Sequence, residues 1–244
     1  MDMTVSAAEA FAAMERLPFW TIEKIGASAI TVIAPHPDDE SLGCGGLIRL
    51  ARDKGIPVTI IVVSDGTGSH PNSATYPPRR LRDVREDEAR RAALELGVAA
   101  GEVHFLRQMD REVPHDGPVV GQIAEIISGS GSNVIAVTWY EDPHCDHKAC
   151  FALARSARER TGGRFFAYPI WSLALPPDSP IAVRPRDGFR LDIASARGPK
   201  RRAIAAHRSQ ITDLIADDPD GFRLTKEHLS WFDRDTETFL EISE

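Results

Sequence analysis

Cysteine is scarce in this 244-residue chain: Cys44, Cys145 and Cys150 are the whole complement. So few, in an odd number, exclude the disulfide framework of a small secreted domain and point to a reducing cytoplasm. Long apolar runs are missing as well; no uninterrupted stretch approaches the ~20 residues of a membrane span. The opening Met1-Asp2-Met3-Thr4-Val5-Ser6 lacks the basic start and apolar core of a signal peptide, so none is expected. Positive charge is in deficit, with 29 Lys+Arg against 36 Asp+Glu and a formal net charge of −7. That balance argues against nucleic acid or an anionic membrane as the main partner. Internal repeats and low-complexity linkers are absent too.

What is present is strand and helix in alternation. Hydrophobic residues make up 42% of the chain, enough for a real core. Apolar runs at Ala29–Ala34, Val58–Val63, Val103–Leu106 and Val134–Trp139 read as strands. Between and after them come helical patterns at about Ser41–Ala51, Arg79–Leu96, Val119–Ile127 and Lys148–Arg158. Four such alternations predict an α/β protein: a Rossmann-like, three-layer α/β/α arrangement with a mostly parallel sheet and right-handed crossovers. A leading helix is expected over Ala7–Met14 within residues 1–20, packed on the sheet or on a second subunit. After Gly163 the pattern weakens. A strand at Arg164–Trp171, an edge or hairpin strand at Phe189–Ile193, and helices at Pro199–Leu214 and Lys226–Phe232 are expected. Residues 160–244 are thus read as an irregular part completing one domain over 1–244.

Two polar clusters stand just past strands. The first is Ala34-Pro35-His36-Pro37-Asp38-Asp39-Glu40, where prolines on both sides of His36 disfavour helix and place the charges on a turn. Buried unpaired charge costs several kcal/mol, roughly, per group, so water at the rim or a bound cation must compensate. His36 and Asp39 could supply an imidazole and a carboxylate to a metal from one turn, leaving Asp38 free to take a proton. The plainer reading is a strand-to-helix junction with acidic capping. The second cluster, Asp142-Pro143-His144-Cys145-Asp146-His147, follows the fourth strand. In open α/β sheets ligands lie beyond the carboxyl ends of the strands, where strand order reverses. If the order is 3-2-1-4, strands one and four are neighbours and His36, Asp39 and His147 meet.

Other stretches carry weaker signals. The polar loop Ser64–Pro78 is long for a compact domain. Mixed charge on Arg79–Leu96 reads as a solvated face laced with ion pairs. Gly43-Cys44-Gly45-Gly46 lacks the Gly-x-Gly-x-x-Gly spacing of a nucleotide loop. Arg197, Lys200, Arg201, Arg202 and Arg208 form a basic segment, read either as a solvated helix start or as a contact for a subunit or an anionic group.

Taken together, the first cluster, Gly45-Gly46, Arg85 with Glu88, Leu96-Gly97 and His144-Cys145-Asp146-His147 resemble the PIG-L/LmbE family of zinc-dependent de-N-acetylases. The resemblance covers residues 29–155 firmly and His207-Arg208-Ser209-Gln210 loosely. It implies one zinc per chain, or another divalent cation, on His36, Asp39 and His147. It implies Asp38 as general base, His144 as acid or oxyanion stabiliser, and Asp146 orienting His144. Arg85 is either a substrate contact or an ion-pair partner of Glu88, and Asp110 stands near a carboxylate position that meets sugar hydroxyls. Asp142 occupies a position where some members carry a tyrosine, and is assigned to substrate. Cys145 replaces a proline; its thiolate could coordinate zinc, but because three ligands suffice it is read as a small filler pointing away. The implied activity is removal of an N-acetyl group from an N-acetylglucosamine-type sugar. The alternatives are an amidase acting on a non-sugar amide and a non-catalytic sugar-binding protein. The expected partner is a small-molecule amino sugar, with no nucleic acid and no membrane span; a homo-oligomer is left open.

Overall fold

β-Branched residues, which pack well on a pleated surface covered on both sides, build the centre of the molecule. A computed structural model describes residues 4–182 and 185–242. In chain order come β1 (Val5–Ser6), α1 (Ala7–Met14), β2 (Phe19–Trp20), α2 (Ile22–Ile25), β3 (Ile30–Ala34), α3 (Asp39–Asp53) and β4 (Val58–Ser64). Then follow α4 (Pro78–Glu95), β5 (Val103–Gln108), α5 (Pro118–Ser130), β6 (Val134–Thr138), α6 (Cys145–Thr161) and β7 (Arg164–Tyr168). The C-terminal part adds β8 (Pro180–Ile181), β9 (Gly188–Asp192), α7 (Arg197–Ala206), α8 (Arg208–Ile211), α9 (Lys226–Phe232) and β10 (Thr236–Glu241).

An eight-stranded sheet runs in the order β2-β9-β10-β7-β6-β3-β4-β5. β5, β4, β3, β6 and β7 are mutually parallel, and β10 is antiparallel to both β7 and β9. The chain winds outward from β3 through β4 to β5, then returns to β6 on the other side of β3. The expected 3-2-1-4 order is therefore present, with the reversal between β3 and β6. Alternate residues face opposite layers. Val32, Ile60, Val62, Val134 and Ala136 join Leu47 and Ile48 of α3, Ala92 of α4 and Ala203 of α7 in one core. Ile33, Ile61, Val63, Ile135 and Val137 join Ala10 of α1, Ile123 of α5 and Leu153 of α6 in the other. Burying each Val, Leu or Ile among them stabilises the fold by about 1.5–3 kcal/mol, and each Ala by less.

The glycines of α3 serve close packing. A Cβ at Gly43 would stand 2.3 Å from Tyr168 Cδ2, and one at Gly46 would stand 2.4 Å from Ile193 Cγ2. Midway along this helix the Glu237 carboxylate, from β10, accepts the N–H groups of Gly46 (2.6 Å) and Leu47 (2.8 Å). Lys200 Nζ completes the buried arrangement at 2.7 Å from Glu237 Oε1.

Several expectations are corrected. α3 starts at Asp39 rather than near Ser41, and α6 starts at Cys145 with His144 as its N-cap. The helix expected over Pro199–Leu214 stops at Ala206, where His207 leaves helical geometry, and resumes as one turn. β10 was not foreseen, because Thr-Glu-Thr at its start looks like surface while Glu237 in fact points inward. β9 lies between β2 and β10 rather than at the sheet's edge. No helix among the described residues is long and apolar enough to cross a membrane.

Candidate metal centre

The turn after β3 is set by its own acids. Asp38 has φ 153° and ψ −28°, a backbone conformation that costs a non-glycine residue about 1–3 kcal/mol and persists only where the surroundings enforce it. Here Glu40 enforces it: one carboxylate oxygen accepts the Asp38 N–H at 3.1 Å. The other accepts the Ser41 hydroxyl at 2.7 Å and lies 3.2 Å from His207 Nε2. Arg85, buried, donates to Gly66 O and Pro37 O and lies 3.3 Å from Asp38 Oδ2, so it pins the loop after β4 to this turn.

The turn after β6 is built around Asp142. Its carboxylate lies 2.9 Å from His147 Nδ1 and accepts the backbone N–H groups of Ile170, Trp171 and Ser172. His144 caps α6, its Nδ1 accepting the N–H of Asp146 at 3.2 Å. That bond keeps Nδ1 unprotonated and leaves the neutral ring's proton on Nε2.

The two turns meet. Asp39 Oδ2 lies 3.2 Å from His36 Nδ1 and 3.3 Å from His147 Nε2. Donor atoms of His36, His144 and His147 fall within 4.8 Å of one another, as do those of His36, Asp110, His144 and Asp146. His147 Nε2 is buried and has no hydrogen-bond partner. A buried, unpartnered imidazole nitrogen beside further nitrogen and carboxylate donors fits a divalent cation of the zinc type.

Electrostatics point the same way. Burial pushes the His36 imidazole down, yet Asp110, Asp146 and Asp39 outweigh it and hold the ring well above its usual range. For His147, burial is likewise overcome by Asp39 and Asp142, and the pKa rises to about 9. Burial raises Asp39, but His147 and His36 outweigh it and hold the carboxyl below its usual range. The carboxylates thus pull protons onto two imidazoles, a demand for positive charge that a cation would meet. Burial raises Asp38 to about 6, against the opposing charge of Arg85. Burial, and then the charges of His36 and His147, push His144 down to about 4.

The structure brings His36, Asp38, Asp39, Arg85, Asp110 and His144 onto one cavity of about 250 Å³. Three expectations need correction. Asp146 turns its carboxylate to His36 Nε2 (3.0 Å) and to the N–H groups of Arg111 and Val113; only its backbone touches His144. Asp142 is fully buried with its oxygens engaged, and so is a support for His147 rather than a substrate contact. Arg85 pairs with Asp38 and not with Glu88, which holds the N–H and hydroxyl of Ser209, so only the ion-pair alternative for Arg85 is overturned; Arg85 itself lines the cavity. Asp110 gives one oxygen to the Gly68 N–H and the other, 3.3 Å away, to His36. Asp39 and Cys145 both fall outside the two donor groupings, but Asp39 Oδ2 touches both His36 and His147, whereas Cys145 Sγ is 3.7 Å from Arg111 O. Arg197, Lys200, Arg201 and Arg202 pair within the chain, with Asp233, Glu237, Asp233 and Glu95. Trp171, Gln210 and Phe222 also line the cavity. Only Gln210 had a signal, the loosely matched His207–Gln210 stretch.

A family model described as GlcNAc-PI de-N-acetylase (PIG-L) matches residues 31–158. Diacetylchitobiose deacetylase of Thermococcus kodakarensis is 30% identical over 207 residues, which are 81% of this chain and 74% of that protein. Probable N-acetyl-alpha-D-glucosaminyl L-malate deacetylase 2 of Bacillus subtilis is 30% identical over 190 residues, 76% of this chain and 85% of that protein. Among solved structures, N,N'-diacetylchitobiose deacetylase from Pyrococcus horikoshii superposes with a TM-score of 0.68 at 21% identity. It covers 88% of this chain and 84% of its own, a likeness of fold.

Proposed function

The chain belongs to the PIG-L family of de-N-acetylases, and from that membership we propose that it hydrolyses the N-acetyl amide of an N-acetylglucosamine-type amino sugar or glycoconjugate. The observation that carries this reading is the meeting of two strand-end turns in one cavity, where metal donors stand beside a carboxylate, Asp38, that bonds none of them.

His36, Asp39 and His147 would hold a zinc ion, or another divalent cation, one per chain. When bound, the cation acidifies water and polarises the acyl carbonyl. Asp38, held in place by Arg85 and Glu40, takes a proton from the attacking water. His144 donates from Nε2 to the carbonyl oxygen as negative charge develops there. This is a neutral imidazole's task, since protonating Nδ1 would break the α6 cap. Asp38 then passes its proton to the departing nitrogen, and the products are acetate and the free amine. Asp146 and Asp142 orient His36 and His147, a support that metal-bound imidazoles commonly need. Asp110, held by Gly68 and facing the cavity, meets a sugar hydroxyl. The free cysteines suit a cytoplasmic site of action.

The test is acetate release by zinc-loaded protein from N-acetylglucosamine glycosides and from simple acyl amides. Sugars are expected to be cleaved at least about tenfold faster, which corresponds to about 1.4 kcal/mol, near the net worth of one hydrogen bond. Cleavage of simple amides alone would move the assignment to a non-sugar amidase.

A further inference from the structure

The wall of the cavity formed by α8 carries a polar group that the mechanism does not use. Gln210 is 1% exposed, lines the cavity, and its Oε1 is a buried acceptor with no partner. Buried acceptors in native proteins are nearly always paired, so an unpaired one inside a binding cavity points to a ligand donor.

Which end of the amide faces the cavity is determined by neighbours. Gln210 Nε2 lies 3.1 Å from Ser209 Oγ and 3.4 Å from Ser69 Oγ. The Ser209 hydroxyl donates to Glu88 Oε2 at 2.6 Å, and the Ser69 hydroxyl donates to Gly66 O at 3.3 Å. Both hydroxyl protons are spent, so both oxygens can only accept, and the amide must present its NH₂ to them. Oε1 is left without a partner, buried within the cavity wall that Gln210 forms. Glu88 therefore acts on this wall through Ser209, and its second oxygen fixes the backbone N–H of the same residue at 2.8 Å.

The same wall is aromatic. Trp171 and Phe222 meet edge to face, 5.5 Å apart at 86°, and Phe222 is 36% exposed. The Phe222 N–H donates to Ser69 O at 2.6 Å, so the aromatic pair and Gln210 are anchored on one residue. An acceptor beside aromatic rings matches a pyranose, which offers hydroxyl donors at its rim and C–H groups on its faces.

We infer that Gln210 Oε1 accepts a hydrogen bond from a ring hydroxyl of the substrate, with the sugar's C–H face against Trp171 and Phe222. This rests on the amino-sugar reading and deepens it: the cavity selects a hydroxylated ring, since an acyl amide lacking that donor would leave Oε1 desolvated and unpaired.

Binding, rather than turnover, tests it. Methyl N-acetyl-β-glucosaminide and its 3-, 4- and 6-deoxy analogues are titrated calorimetrically into zinc-loaded protein carrying Asp38→Asn, which leaves the ligand unconsumed. Gln210→Leu in that background is expected to weaken the parent glycoside about tenfold to a hundredfold. One deoxy analogue is expected to bind equally weakly with and without the Gln210 substitution. The deoxy series on protein with Gln210 intact reads the contact even if Gln210→Leu folds poorly. Deoxy analogues all as tight as the parent, an unchanged affinity in Gln210→Leu, or no binding of the parent glycoside each overturn the inference. Acetate release from other N-acetylated substrates would in that case still stand, so loss of this contact and loss of the deacetylase reading are separate results.

Discussion

Asp142 Oδ2 and His147 Nδ1 lie 2.9 Å apart, with both side chains wholly buried. The same carboxylate holds three successive backbone N–H groups at Ile170, Trp171 and Ser172. One buried acid thus fixes the tautomer of a proposed metal ligand and the start of the loop bearing Trp171. Asp142→Asn is expected to weaken zinc binding about tenfold to a hundredfold, the usual cost of losing such a support. Competition against a chelator of known affinity measures it, and an unchanged zinc affinity would show that His147 needs no orientation from Asp142.

Asp38→Asn removes the proposed base but none of the proposed ligands. Turnover is expected to fall by about 10²–10⁴-fold, the range for general-base removal. Zinc content measured on the same sample should stay at one per chain. A fall in metal content matching the fall in rate would reassign Asp38 to metal binding.

His144→Ala is expected to lower kcat by about 10²–10³-fold, the loss typical of one oxyanion donor, with little change in KM. An equal effect confined to KM would make His144 a ground-state contact.

Stability should depend on pH through His207. Burial lowers its pKa, but Glu40, with Asp38 and Glu88 behind it, outweighs burial and raises it above the ordinary value. A group raised in the folded state contributes stability that is fully present below its unfolded pKa of about 6.5. That contribution is lost as pH climbs through the folded pKa. Urea unfolding of zinc-loaded protein between pH 6 and 9 should therefore show a decline that His207→Gln flattens. Parallel curves for the two proteins would exclude a charged His207.

Much of the site was legible in sequence because its chemistry is local. His36 to Glu40 and Asp142 to His147 are short turns at strand ends, and alternation gave the parallel sheet in which the common 3-2-1-4 order makes β3 and β6 neighbours. What could not be read was which neighbour each acid chooses. Asp146 turns to His36 rather than His144, and Arg85 to Asp38 rather than Glu88, because those partners come from other elements. Glu237 escaped for a related reason: a charged residue in an alternating stretch looks solvated until its buried partner, Lys200, is known. Phe222 belongs to a loop without a periodic signal, and Trp171, read as the end of a strand, lies past the end of β7 at Tyr168 in a short 3-10 turn.

Lys200→Met would strip Glu237 of its cation while leaving the carboxylate enclosed. Destabilisation of about 3–5 kcal/mol is expected, as when one member of a buried pair is removed. Chemical denaturation reads it, and a loss below 1 kcal/mol, roughly the worth of an exposed pair, would mean that water reaches Glu237.

The Glu237 carboxylate also couples distant parts of the chain. Amides at the middle of α3 find their acceptor 191 and 190 positions later, in β10, which lies between β9 and β7. The middle of the first motif's helix is thereby bonded to a strand from the far end of the described fold, in addition to its own helical bonds. The turn at its head, with the proposed ligands His36 and Asp39, therefore rests on a helix fastened to a strand nearly two hundred positions away, so loosening β10 should disturb the proposed metal site as well as the sheet.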